Sequence, residues 1–349
     1  MTGWELFIEA AIKVVVAFVI LLVAVLLLVW AERRVVAVMQ NRIGPNRAGP
    51  FGMMQTLADG MKLFFKESMT PRKVEFAIYI AAPVAALVPA LLIFLVIPIG
   101  APVEIAGRDI TFQVTDLNVG VLYVLALSSL AVYAVTLAGW SSGSKYPLLG
   151  SVRASAQMIS YEAALGLALV PVIMFAGTTS LAGIVEAQQG DILGFLGPWN
   201  IVLLPSFVIF MIAAFAETNR APFDLVEAEQ EIVGGYHTEY SGFRFALFFL
   251  AEYINIFNMA ALTVVFFLGG WGGPLFGPQW LQIVLPVGYF LTKTAFVIFI
   301  FFWVRATLPR MRYDQLMGFG WKRLIPISLV WIMLSMVAVG VRRFGLPWS

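Results

Sequence analysis

Residues 10–30 read AAIKVVVAFVILLVAVLLLVW, and residues 31–34 read AERR. Apart from Lys13, the first stretch is an unbroken apolar run. It matches the roughly 20 residues that carry a helix across a hydrocarbon core. The second sets an acid and two arginines at the point where such a helix would leave the lipid. Met1–Glu9 carries Glu5 and Glu9 rather than a basic n-region, so the run reads as a retained span, not a cleaved signal peptide.

Seven further runs of this kind follow. The apolar stretches lie near 7–30, 76–100, 117–139, 157–177, 201–219, 243–268, 281–303 and 323–342. Free N–H and C=O groups find no partner in hydrocarbon, so each span is expected to be helical. Composition agrees: 61% of the 349 residues are hydrophobic and 12% are charged, against about 25% charged in a soluble domain. The fold class is therefore an all-α integral membrane protein of about eight transmembrane helices, read as one polytopic domain over 1–349. Lys and Arg fall unevenly: 17 of 22 lie in the odd-numbered loops, which places those loops in the cytoplasm and both termini on the periplasmic, outer side. The net charge of +2 gives no sign of nucleic acid as a partner.

In the first loop, Met53–Lys66 repeats apolar residues at helical spacing, with Gln55, Asp59, Lys62 and Lys66 between them. This predicts an amphipathic helix in the interface plane. It serves either as an anchor or as one wall of a pocket open to lipid. Arg33, Arg34, Arg42 and Arg47 flank Gly-Pro turns beside it and either bind lipid phosphate or shape a polar mouth.

Carboxylates in apolar surroundings are the main chemical signal. Glu162, Glu217 and Glu252 fall on consecutive spans, where a charge at the helix centre costs about 2.5–3.5 kcal/mol. Glu162 is read in the first turns of its span. Together the three suggest a shared polar interior whose groups exchange protons, or separate pairs that only fix helix packing. Six acids lie between Glu217 and Glu239 against one arginine: Glu217, Asp224, Glu227, Glu229, Glu231 and Glu239. Pro222 suits the first turn of a short helix there, with Asp224 at its positive end. Lys293 within a span is either a relay member or a snorkelling side chain. The lone His237 reads as a hydrogen-bonding loop residue. With no cysteine and one histidine, thiolate zinc, iron–sulfur and bis-histidine haem ligation are excluded for this chain.

Three long polar motifs resemble the membrane subunit at the quinone site of respiratory complex I. They are Glu32-Arg33-Arg34 with Arg42 to Pro50 and Ala58-Asp59; Gly139 to Tyr146 through Arg153 to Ser160-Tyr161-Glu162; and Glu217 to Asp224 through Glu231 to Tyr236. The resemblance implies an eight-helix subunit, and the absence of a transit peptide points to a bacterial plasma membrane. In that family, ubiquinone or menaquinone enters from the bilayer between the first and sixth spans and the interfacial helix. Arg33, Arg34, Arg42, Asp59 and Phe223 would then lie along the quinone tunnel. Glu162, Glu217, Asp224, Glu227, Glu229, Glu231 and Glu252 would form the proton path. Hydrophilic subunits on the cytoplasmic face would carry the iron–sulfur clusters, FMN and NADH. Small membrane subunits would lead to antiporter-like ones, and no redox cofactor would sit in this chain. One departure is visible: some relatives carry an acid in the third span where this chain has Ser128-Ser129. Two other readings stand beside this one: a standalone proton or cation transporter, and a membrane anchor for a related dehydrogenase complex.

Overall fold

The computed structural model describes residues 3–105, 108–189, 202–225, 233–276 and 278–344. The helices are α1 (Gly3–Met39), α2 (Gln55–Phe65), α3 (Phe76–Phe94), α4 (Gly120–Ser141), α5 (Lys145–Ala176) and α6 (Leu181–Gln188). They continue with α7 (Leu204–Glu217), α8 (Gly242–Phe267), α9 (Gln279–Thr307), α10 (Tyr313–Phe319) and α11 (Ile325–Phe344). A π-helical turn, Gly320–Leu324, joins the last two. The short strands β1 (Val103–Ile105) and β2 (Arg108–Ile110) form an antiparallel hairpin outside the helical bundle, pairing Val103 with Ile110.

Among the described residues, seven helices are long and apolar enough to cross a membrane. The fifth expected span is the shorter α7, of 14 residues, roughly 21 Å long. It opens with Pro205 in its first turn and stops at Glu217, just before Asn219, whose φ of 49° turns the chain back. Two spans outrun their hydropathy. α1 continues past Trp30 to Met39 and so carries Glu32, Arg33 and Arg34 on helix. α5 begins at Lys145, which moves Glu162 from the first turns of its span to the helix middle. Residues 145–156 are too polar to read as a span, yet packing against α4 and α7 keeps them helical.

Hydrocarbon gives helices little reason to associate by apolarity alone, so close approach has to come from small residues. α3 and α4 meet through buried Ala82, Ala86, Ala131, Ala134 and Ala138, with Ala154 of α5 beside them. A Cβ on Gly139 of α4 would come 2.2 Å from the Ser151 hydroxyl oxygen of α5, so only glycine allows that approach. Polar bridges fix register. The Asn258 amide of α8 donates to Ala90 O of α3 at 2.7 Å. The Trp331 indole of α11 donates to the Ser206 hydroxyl of α7 at 2.9 Å.

At the end of the bundle away from the arginine-rich loops, Lys293 resolves its two readings differently from either. Its ammonium donates to the carbonyls of Leu268, Gly270 and Gly272 at 2.8, 3.1 and 2.7 Å. It thereby caps the C-terminus of α8, where a cation is favoured. Gln188 joins this knot, accepting from Gly269 N and donating to Val265 O. The outer surface of the bundle is apolar, with Val19, Val84, Leu130, Phe296 and Met333 among many exposed side chains. The chain is a multi-pass membrane protein.

Candidate functional site

Arg220 is the hub of the polar interior. The chain reaches it from α7 through Thr218, whose hydroxyl bonds back to Ala214 O, and Asn219, which the Gln157 amide of α5 holds at 3.2 Å. There the arginine as a whole residue is only 5% exposed. Its Nη1 donates to Glu32 Oε1 of α1 at 3.2 Å, and its Nε lies 3.0 Å from Glu252 Oε1 of α8. Its face covers the Tyr253 ring at 4.8 Å. Arg305, near the end of α9, also pairs with Glu32. Two carboxylates thus meet two guanidiniums, the balance a buried cluster of charges requires.

From this cluster the polar groups continue in two directions. Inward, Glu217 and Glu252 line one cavity of about 40 Å³ with Thr218, Asn219 and Asn255 on its polar side. That volume admits on the order of one to three water molecules, and these groups supply the hydrogen bonds such waters need. Glu217 Oε2 is buried with no hydrogen-bond partner among the described residues. Glu162 lies within electrostatic reach of Glu217. Its own carboxylate accepts from the Ser128 hydroxyl at 3.1 Å and from the Ser129 hydroxyl. Ser128 and Ser129 therefore extend the polar line by hydroxyls.

Outward, Tyr253 lies within reach of both Arg220 and Arg33. Arg33 Nη1 pairs with Asp59 at 2.5 Å, and the Gln55 amide donates to the other Asp59 oxygen at 3.0 Å. So α2 turns Asp59 toward the bundle while its apolar residues face out. Arg34 donates to Phe51 O at 3.1 Å and stacks near Trp30 and Phe51. Arg42 is exposed, bonded to the Gln40 side chain, and apart from the cluster. Phe223 is buried against Tyr161, ring centroids 5.3 Å apart. Asp224 is half-buried in the turn beyond Arg220, and the Pro222 carbonyl accepts from Met311 N at 3.0 Å. The short helix expected after Pro222 is not formed through Leu225; Glu227, Glu229 and Glu231 lie outside the described residues.

Sequence reading missed Glu32, Arg220 and Arg305 as site members. Glu32 and Arg305 are 273 positions apart, so no local pattern could join them. A buried arginine beside a span-end acid was the available signal.

His237 sits in a 3-10 turn with its ring on Tyr236 and Phe245. Burial pushes its imidazole down to about 4, so it is neutral at pH 7. A lowered histidine value contributes stability above the free value of about 6.5 and loses it as pH falls toward 4. Hydrogen exchange in residues 233–241, divided by the intrinsic amide rate at each pH, is expected to speed up between pH 7 and 5. The effect should vanish in His237→Phe; equal exchange at both pH values in the parent chain would refute it.

The arrangement carries ionisable side chains from the arginine-rich end of α1 and α2 to the middle of α5. A family model described as NADH dehydrogenase matches residues 12–336. The H subunit of NADH-quinone oxidoreductase from Frankia casuarinae (strain DSM 45818 / CECT 9043 / HFP020203 / CcI3) is 52% identical over 324 residues, covering 92% of this chain and 71% of that protein. The protein of the same name from Frankia alni (strain DSM 45986 / CECT 9034 / ACN14a) is 51% identical over 329 residues, 93% of this chain and 71% of its own. By the span of the family match and this level of identity, the chain belongs to the NADH dehydrogenase family that includes the H subunit of NADH-quinone oxidoreductase.

Proposed function

We propose that this chain is the membrane subunit of a proton-pumping NADH:quinone oxidoreductase, which admits quinone from the lipid side and couples its reduction to proton translocation. The observation that carries this reading is the polar line Asp59–Arg33–Tyr253–Arg220–Glu252–Glu217, with its further end at Glu162. One end lies beside an interfacial helix, where an apolar, bilayer-borne substrate would arrive. The other ends among buried carboxyls, where protons would be held.

Ubiquinone or menaquinone is the substrate in this reading, drawn in past Arg33, Arg34, Arg42, Asp59 and Phe223. Electrons come from iron–sulfur clusters on hydrophilic partner subunits at the arginine-rich face, which also hold FMN and NADH. That face is cytoplasmic, the membrane is a bacterial plasma membrane, and both termini are periplasmic. Reduction changes the charge near Arg33 and Arg220. The carboxyls of Glu252, Glu217, Asp224 and Glu162, together with Glu227, Glu229 and Glu231, answer by taking up and passing protons toward neighbouring membrane subunits.

Glu217→Gln with Asp224→Asn tests the coupling. Removing proton-transfer groups should slow proton-coupled quinone reduction by on the order of 100-fold. NADH oxidation by a soluble artificial acceptor should be unaffected. Protons pumped per electron, measured in vesicles, should fall; an unchanged ratio removes both residues from the path.

A further inference from the structure

The two faces of α2 serve different ends. Its half-buried side, with Gln55, Asp59 and Leu63, is turned to α1 and α8. On the other side Leu57, Met61 and Phe65 are 47%, 55% and 77% exposed. With Met54 and Ala58 they floor a wide-open groove whose lining comes from α2 and its immediate flanks alone. Lys62 and Lys66 stand on its rim one helical turn apart. Neither amine has an ion-pair partner among the described residues. The only acid within α2 is Asp59, three residues before Lys62, and it is already paired with Arg33.

The groove also lies at the edge of the hydrocarbon region. Trp30, closing the apolar run of α1, donates its indole N–H to Phe51 O at 3.0 Å, just ahead of α2. Tryptophan and arginine at the end of a span mark the headgroup level. Two like charges one turn apart repel each other unless something negative sits between them. An apolar floor with two free ammoniums on its rim, at that depth, is complementary to one amphiphile. We propose that this groove binds an anionic phospholipid, with an acyl chain along Leu57, Met61 and Phe65 and the phosphate between Lys62 and Lys66. A neutral amphiphile would fill the floor and leave the amines unmatched. The site adjoins the strip of α2 that carries Asp59, and it does not depend on the quinone reading.

The intact complex in nanodiscs provides the test. Phosphatidylglycerol and phosphatidylcholine, each with a photoactivatable group in one acyl chain, are supplied at equal mole fraction. Labelled peptides are then mapped by mass spectrometry. Residues 54–66 should be labelled about tenfold more by the glycerol probe, given the attraction two lysines exert on anionic lipid. That preference should disappear in Lys62→Gln/Lys66→Gln, whose exposed side chains leave the fold unchanged. Equal labelling by both probes, a preference that survives the double substitution, or no labelling because another protein chain covers the groove would each overturn the proposal.

Discussion

Arg220→Met is expected to cost about 3–5 kcal/mol, the penalty for stranding buried charge, and to leave little intact complex in the membrane. The substitution removes the cation between Glu32 and Glu252 and strips the Tyr253 ring of its stacked partner. Arg305 remains for Glu32, but Glu252 loses the guanidinium that now lies 3.0 Å away. Arg220→Lys keeps the charge and should restore part of the assembly, yet a single ammonium cannot span both carboxylates as the planar guanidinium does. Adding Glu252→Gln to Arg220→Met should recover some stability by removing the stranded charge. Native gels and thermal unfolding of the detergent-solubilised complex read the effect. Normal yield and melting of Arg220→Met would show that the cluster does not hold the site together.

Gly52→Ala carries the second large effect, through backbone rather than charge. Gly52 has a φ of 78°, and a Cβ there would stand 2.2 Å from Pro45 O and 2.4 Å from Pro45 C. No side-chain motion relieves a clash with backbone, so the loop 42–54 must open, at roughly 2–3 kcal/mol. That loop supplies the Phe51 carbonyl to both Trp30 and Arg34, and its collapse would release both side chains. Quinone reduction should fall steeply and limited proteolysis should nick residues 42–54. Gly60→Ala is the matched control: a Cβ there meets nothing within 4 Å, and alanine suits the middle of α2. If both variants behave alike, the argument from Gly52 fails.

Much of the architecture is legible from hydropathy because a span must be continuous and apolar to cross lipid. The acids Glu162, Glu217 and Glu252 stand out for the same reason, since each is costly where it sits. What hydropathy hides is helix that is not in lipid. The early turns of α5 carry Lys145, Ser151, Arg153, Ser155 and Gln157, a composition that reads as loop. They are helical because they pack against α4 and α7, where Gln157 grips the Ala216 carbonyl, while Ser151 and Ser155 satisfy their hydroxyls on backbone carbonyls of their own helix. Hydropathy also hides the facing of α2. Its spacing shows an amphipathic helix but not that the polar side faces the protein, which follows only from Arg33 reaching Asp59. Partners far apart in sequence, such as Arg305 with Glu32 or Ser129 with Glu162, leave no local trace.

The Lys293 knot has a mechanical consequence for α8. One tip of that helix is tied by three carbonyl bonds to α9, and its middle is tied through Glu252 to Arg220. A rod fastened at its middle and at one tip does not slide along its axis; any strain delivered at Glu252 is taken up by bowing of the stretch between. Asn255 and Asn258 lie in that stretch, so displacement there would be felt in α3 through the Ala90 carbonyl. Cutting the far fastening, as in Lys293→Met, would convert a bending element into a piston.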